Sequence, residues 1–254
     1  MIDAEWEFFE PFVVAGGPLS GRPPSDHRRT LDGIFWITRT GAPWRDLPGE
    51  LGKWNSVYRQ FLRWSRSGLW DLLLEALADS GVAPKTIQMI DSTVIRAHHQ
   101  AAGGKRGTQN QGLGRSRGGF TSKIHARTNG EGLPLGFVIT PGEAHDATAY
   151  DALMKQEADR PKTLLADKAY DTDAIRADLK RRGIKAVIPP KANRKVAIRY
   201  NKRLYRERNC IERVFGHLKI NRAIATRYDQ LAETFLDLLF LASARYWLKV
   251  VHAA

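Results

Sequence analysis

NKRLYRERNCIERVFGHLKIN, Asn201 to Asn221, is the stretch from which the rest of the chain can be read. Wound at about 100° per residue, it sets Ile211, Val214, Phe215 and Leu218 on one apolar stripe. Tyr205, Arg208, Glu212 and Lys219 fall on a neighbouring polar stripe, within about 60° of each other. A single carboxylate with Arg208 one turn before it and Lys219 two turns after it suits a surface that faces a polyanion. An ordinary surface helix with a weak Arg–Glu pair at i, i+4 gives the same pattern, so the surrounding chain has to decide.

Charge is the first discriminator. The 254 residues carry a formal charge of +13, unevenly spread. Ser92 to Gly130 sums to +7 with no Asp or Glu, Lys180 to Arg227 sums to +14, and the remainder is −8. Concentrated basicity is the footprint of a nucleic-acid binder, although an anionic membrane or an acidic partner would also be served. The 43% hydrophobic content suffices for a core. Cys210 is the single cysteine, which excludes an internal disulfide and a thiolate zinc site and suits a reducing cytosol. Neither a signal peptide nor a membrane span is expected. The N-terminus lacks a basic start followed by an apolar run, and Glu233, Asp237 and Arg245 interrupt the apolar C-terminal stretch.

Residues 1–82 read as a small all-α domain. Asp3 is placed to cap a first helix, and Ser25 or Asp26 a second, RRTLDGIFWITRT, which Gly41 can end. After a Gly- and Pro-rich loop, Asn55 or Ser56 opens SVYRQFLRWSRSG. There Arg59, Arg63 and Arg66 form a basic face opposite Val57, Phe61 and Leu62, a candidate recognition helix in a helix-turn-helix-like unit. Six of the seven Trp lie in this region, and a small aromatic core is the simpler explanation for them. Pro84 marks the boundary of a second domain, 83–254. TIQMIDSTVI reads as a strand with Asp91 in its middle, a position that demands a partner, a cap role or a metal. A Gly-rich basic loop with Lys105, Arg106, Arg115 and Arg117 follows, able to track a DNA backbone, as is Lys123 after it, or simply mobile and solvated. FTSKIHART, carrying Lys123, and LPLGFVITPG then form a hairpin about Asn129-Gly130-Glu131-Gly132. A helix capped near Asp146 leads to TLLAD, a short buried strand ending in Asp167, where open α/β sheets place their ligands. A helix capped by Asp171 or Thr172, a fifth strand IKAVIPP and the 201–221 helix complete a ribonuclease-H-like order with a mixed five-stranded sheet. The C-terminal segment reads as an amphipathic helix whose Phe235, Leu238, Leu239 and Ala242 pack on the core.

The spacing Tyr, two residues, Arg, three residues, Glu, six residues, Lys is met by Tyr205, Arg208, Glu212 and Lys219. It resembles the signature of DDE transposases of bacterial insertion sequences. AEWEFFEPF, GRPPSDHRRTLDGIFWITRTGAPWRDLP and WNSVYRQFLRW resemble the opening domain of the insertion sequence five family, and SRGGFTSKIHA and TPGEAHD resemble its hairpin region. The resemblance spans nearly the whole chain. It implies a catalytic and metal-binding triad of Asp91, Asp167 and Glu212, and two Mg²⁺ ions for which Mn²⁺ can substitute. It also implies double-stranded DNA partners, both terminal inverted repeats and target, and at least a dimer on DNA at a cytoplasmic, nucleoid-associated location. Arg208 and Lys219 would contact phosphates, with Tyr205 at the cleaved end; Arg208 could instead only orient Glu212. Only 44 residues separate Asp167 from Glu212, too few for the β-rich insertion of some related transposases. The expected activity is metal-dependent strand cleavage and strand transfer. A nuclease without strand transfer and a catalytically silent DNA-binding protein are the alternatives. A zinc hydrolase using His98, His99, His125 or His145 lacks any recognised ligand spacing.

Overall fold

The computed structural model describes residues 1–14, 26–81, 86–103, 111–156, 160–196 and 198–251. Ser25, Pro84, Lys105 and Arg106 lie outside the described residues. Four helices open the chain: α1 Asp3–Val13, α2 His27–Thr40, α3 Trp54–Arg66 and α4 Leu69–Ala78. Asp3 begins α1 rather than capping it; the cap is Ile2, whose amide donates to the Glu5 carboxylate. Asp26 caps α2 by accepting from the Arg29 amide at 2.9 Å, and Gly41 ends it in the left-handed region at φ 65°. On α3, Val57 and Phe61 are buried while Arg59, Arg63 and Arg66 are exposed. The Trp residues are largely structural: Trp70 meets Phe61 and Trp64 at ring distances of 5.8 and 5.7 Å, and Trp44 lies on Phe61.

The sheet contains the five strands expected and two short additions. β1 Ile87–Ala97 lies at its centre, antiparallel to β3 Gly119–Asn129, which also pairs with β2 Gly114–Ser116 and β4 Pro134–Pro141. On its other side β1 runs parallel to β5 Thr163–Ala166, and β5 to β6 Lys185–Val187. The β3–β4 turn closes because the Asn129 side chain accepts from the amides of Glu131 and Leu133. α5 Tyr150–Lys155 and α6 Asp173–Arg181 cover one face, packing on Ile90, Leu164 and Ala166. Thr172, not Asp171, caps α6.

The segment predicted as one helix over 201–221 is divided. α7 Lys202–Tyr205 passes through a tight 3₁₀ turn at Arg206–Arg208 into α8 Asn209–Lys219, and α9 Arg222–Ala225 follows. The 3₁₀ turn coincides with Arg208 reaching across to β1 and Tyr205 packing edge-on against Tyr200. A two-residue strand, β7 Thr226–Arg227, then pairs with the end of β1. α10 Ala232–Val251 is the hub of the larger core. Phe235, Leu238, Leu239 and Ala242 are buried, and Trp247 is fully buried with its indole N–H donating to Pro134 O at 2.7 Å. The same core includes Leu31, Ile34, Phe61, Trp70 and Leu73 from the first four helices. Arg245 on α10 pairs with Glu5 on α1 at 3.0 Å.

Candidate active site

Two carboxylates are brought together by strand register. β1 and β5 are parallel with Ile90 opposite Ala166, so Asp91 and Asp167 are the next residues on adjacent strands. Asp167 caps the turn after β5, its Oδ1 accepting from the Ala169 amide at 2.8 Å. Asp91 is largely buried, and burial is the main reason its carboxyl is pushed up to about 6. The Asp167 charge adds to that rise, while Arg208 and the Ser92 amide oppose it.

The third carboxylate comes from α8. Ile211, Val214, Phe215 and Leu218 bury one face of that helix, which leaves Glu212 exposed on the neighbouring stripe. Arg208 links it to the strand: Nη1 is 2.5 Å from Asp91 Oδ2 and Nη2 is 2.5 Å from Glu212 Oε1. The Arg208 guanidinium also lies 5.6 Å from the Tyr205 ring centre. Lys219 Nζ donates to Thr93 Oγ1 at 2.7 Å, two residues beyond Asp91 on β1. Arg208 and Lys219 thus reach β1 directly, and Glu212 and Tyr205 join through Arg208. Among the described residues no three His, Cys, Asp or Glu side chains meet at ligand distance, and Arg208 stands between Asp91 and Glu212. Asp91, Asp167 and Glu212 have the oxygen chemistry a hard divalent cation takes, and the charge of Asp167 bears on Asp91 in a partly dry site.

A family model described as "Transposase DDE domain" matches residues 83–247. The chain belongs to the DDE transposases. A second model, "Putative transposase of IS4/5 family (DUF4096)", matches residues 1–74 and identifies the transposase as one of an insertion sequence. The chain is 35% identical over 132 residues to "Putative transposase for insertion sequence element IS6501" of Brucella ovis, covering 51% of this chain and all of that protein. It is 40% identical over 104 residues to "Uncharacterized protein y4sN" of Sinorhizobium fredii, covering 41% of this chain and 82% of that one. Among solved structures, the piggyBac transposase in a synaptic complex with hairpin DNA superposes with a TM-score of 0.57. That match has 10% identity over 98% of this chain and 71% of that one, a likeness of fold.

Other expected DNA contacts of the transposase are spread over the surface. Arg115 and Arg117 are exposed near β2, Arg115 lying over the Phe120 ring. Lys123 is engaged internally, 2.7 Å from Asp146. His145 precedes a 3₁₀ turn at Asp146–Ala149, and α5 begins only at Tyr150 with no side-chain cap, later than the start expected near Asp146. Three residues near Asp167 carry no motif and were not singled out as site residues from sequence. Tyr170 is fully buried with its hydroxyl unpartnered among the described residues, and its pKa is raised by burial first, then by Asp146, Asp91 and Asp167. Asp171 and Lys191 belong to a neighbouring groove. No local pattern marks Asp171, because its partners Arg176 and Arg194 are set by tertiary structure.

Two results should follow from this geometry. Asp91 in the native state holds its proton up to about pH 6, above the unfolded value of 3.8, so its contribution to stability is lost as pH rises from about 4 to 6. In EDTA, Asp91→Asn should remove that slope and stabilise the protein at pH 7.5 by about 1–3 kcal/mol in urea unfolding. Parallel pH profiles for wild type and variant would refute this. Lys219→Ala should weaken DNA binding and make the plot of log affinity against log salt shallower by about one unit. An unchanged slope would remove Lys219 from the DNA surface.

Proposed function

We propose that the transposase binds the terminal inverted repeats of its insertion sequence, cleaves them and joins the ends to target DNA, with Asp91, Asp167 and Glu212 holding Mg²⁺ or Mn²⁺. The observation that supports this reading most is the register that sets Asp91 beside Asp167, with Arg208 tying Glu212 to the same point. Bound there, two such ions would neutralise charge on the scissile phosphate and promote deprotonation of the attacking water or 3′-hydroxyl. Arg208 fills the space between Asp91 and Glu212, so metal held by those carboxylates would require the guanidinium to turn aside, and a DNA phosphate would be the anion left for it to pair with. Tyr205, beside Arg208, is placed to reach the same phosphate or to stack on an unpaired base, and Lys219 holds a phosphate further along β1. The exposed Arg59, Arg63 and Arg66 of α3, with 1–82 as the helical DNA-binding unit, and the basic loop with Lys105, Arg106, Arg115 and Arg117 would follow the duplex backbone. Lys123 would join them only if released from Asp146. That the superposable piggyBac structure is a synaptic complex with DNA supports an assembly of at least two copies on DNA here.

The test is incubation of the purified protein with labelled DNA carrying its element's ends and a supercoiled target plasmid, in Mg²⁺ and in EDTA. Metal-dependent cleavage with end-joined plasmid is expected. Cleavage without joined product would make the protein a nuclease, and binding with neither would make it a silent DNA-binding protein.

A further inference from the structure

A groove leads away from Asp167 on the side opposite α8. Its first part, about 560 Å³, is lined by Lys123, Asp146, Asp167, Lys168, Lys191 and Asn193, among others. A second part of about 660 Å³ shares Lys191 and Asn193 and continues past Arg194 to Lys195 and Val196. Lys123 stands opposite Val94 in the β1–β3 register, and side chains alternate along a strand, so it lies on the other face of the sheet from Asp91. The groove therefore extends the site in a direction that Arg208 and Lys219 do not serve.

Charge in the groove is sorted. Lys123 is neutralised by Asp146, and Arg194 by Asp171 and Asp173. Glu143, exposed on the lining, lies against the Gly114 backbone with its carboxylate in the space a Cβ there would take, and with Asp167 it is a lining carboxylate without an ion pair among the described residues. Lys168, Lys191 and Lys195 are left with no ion pair among the described residues, and Lys168 and Lys195 are exposed. The loop that carries Lys191 and Lys195 is fixed by one buried carboxylate. Asp171 accepts from the Lys191 amide at 2.7 Å, from Arg194 Nε at 2.6 Å and from Arg176 Nε at 2.6 Å. Burial alone would raise its pKa, but Arg194, the Lys191 amide and Arg176 hold it down to about 2.

We propose that this groove binds the phosphodiester backbone of DNA beyond the scissile phosphate, with Lys168, Lys191 and Lys195 as its phosphate contacts and Asp171 as the positioning residue for the loop that carries Lys191 and Lys195. The proposal rests on the transposase reading of the Asp91–Asp167–Glu212 site. It divides the DNA at Asp167: the element's own end lies along Arg208 and Lys219, and the flanking DNA lies in the groove.

Fluorescence anisotropy with two duplexes tests it: one ending flush at the element's terminus, the other extended by about ten base pairs of flank. Wild type should bind the extended duplex about tenfold more tightly. The K168Q/K191Q/K195Q protein should bind the flush duplex within twofold of wild type, lose most of the tenfold gain, and show a salt slope on the extended duplex about 2 to 3 units shallower. Asp171→Asn should show the same flank-selective loss, which general destabilisation would not produce; if it fails to fold, the lysine variant decides. No gain from the flank in wild type, or a full gain in the lysine variant, overturns the proposal. If wild type binds the flush duplex no better than an unrelated duplex of equal length, the transposase reading itself fails.

Discussion

Asp167→Asn should leave DNA ends uncut in the presence of metal, a loss of at least about a thousandfold in strand cleavage, while binding to the same DNA stays within a few-fold of wild type. The substitution keeps the side chain's shape and its place at the end of β5, and the amide can still accept from the Ala169 N–H. What it removes is the negative charge beside Asp91. A carboxamide is a poor ligand for a hard cation, and groups that act as one unit lose nearly everything when one member is lost. Asp91→Asn and Glu212→Gln should each be as severe, although Glu212 sits on an exposed helix face and Asp91 in a largely buried strand. Equal severity across such different environments would identify a shared task rather than three separate structural roles. DNA binding should be unchanged or tighter, since each substitution takes away a negative charge facing the phosphates. Gel analysis of end-labelled DNA gives the cleavage rate, and three variants cutting at the wild-type rate would dismiss the assignment.

Arg227→Met should cost about 3–5 kcal/mol of folding stability. Arg227 is fully buried, with its guanidinium spent on the main chain. It donates to Asp229 O at 2.9 Å, Gln111 O at 2.7 Å, Gln230 O at 3.3 Å and Ser122 Oγ at 2.9 Å, and it lies over the Phe235 ring. Methionine fills much of the volume but leaves these acceptors without a donor, and each buried unsatisfied group costs about 1–3 kcal/mol. The segment before β2, the β7 strand and the start of α10 would all lose their common tie. Urea unfolding followed by tryptophan fluorescence measures the loss, and a change below about 1 kcal/mol would show that water replaces the guanidinium.

Arg227 also shows where sequence reading stops. In the sequence it is one of sixteen cations in a basic segment and counts toward a DNA-facing charge. In the fold it is an internal strut, because a short strand pairing with β1 carries it inside. The places of Asp91 within one strand and Asp167 at the end of another are legible because the residues around them are apolar or alternate with strand period. The hairpin and the cap of α2 were legible because Asn129, Asp26 and Gly41 act on neighbours a few residues away. The break at Arg206–Arg208 was not, since no Gly or Pro announces it and Arg208 makes its contact with a strand 117 residues distant. α4 escaped for a related reason. LWDLLLEALA is apolar on two sides because it is covered by both α1 and α10, which blurs the single stripe that marks a surface helix.

The position of α10 has a consequence for how the protein is made. Leu31, Ile34 and Trp70 bury themselves in the same cluster as Leu238, Leu241 and Trp247, which a ribosome adds roughly 200 residues later. Until that helix is synthesised, the early helices lack a large part of their apolar cover, and chaperones are the natural caretakers of such a surface. A translation product stopped before α10 should therefore be insoluble or degraded rather than persist as a small DNA-binding competitor.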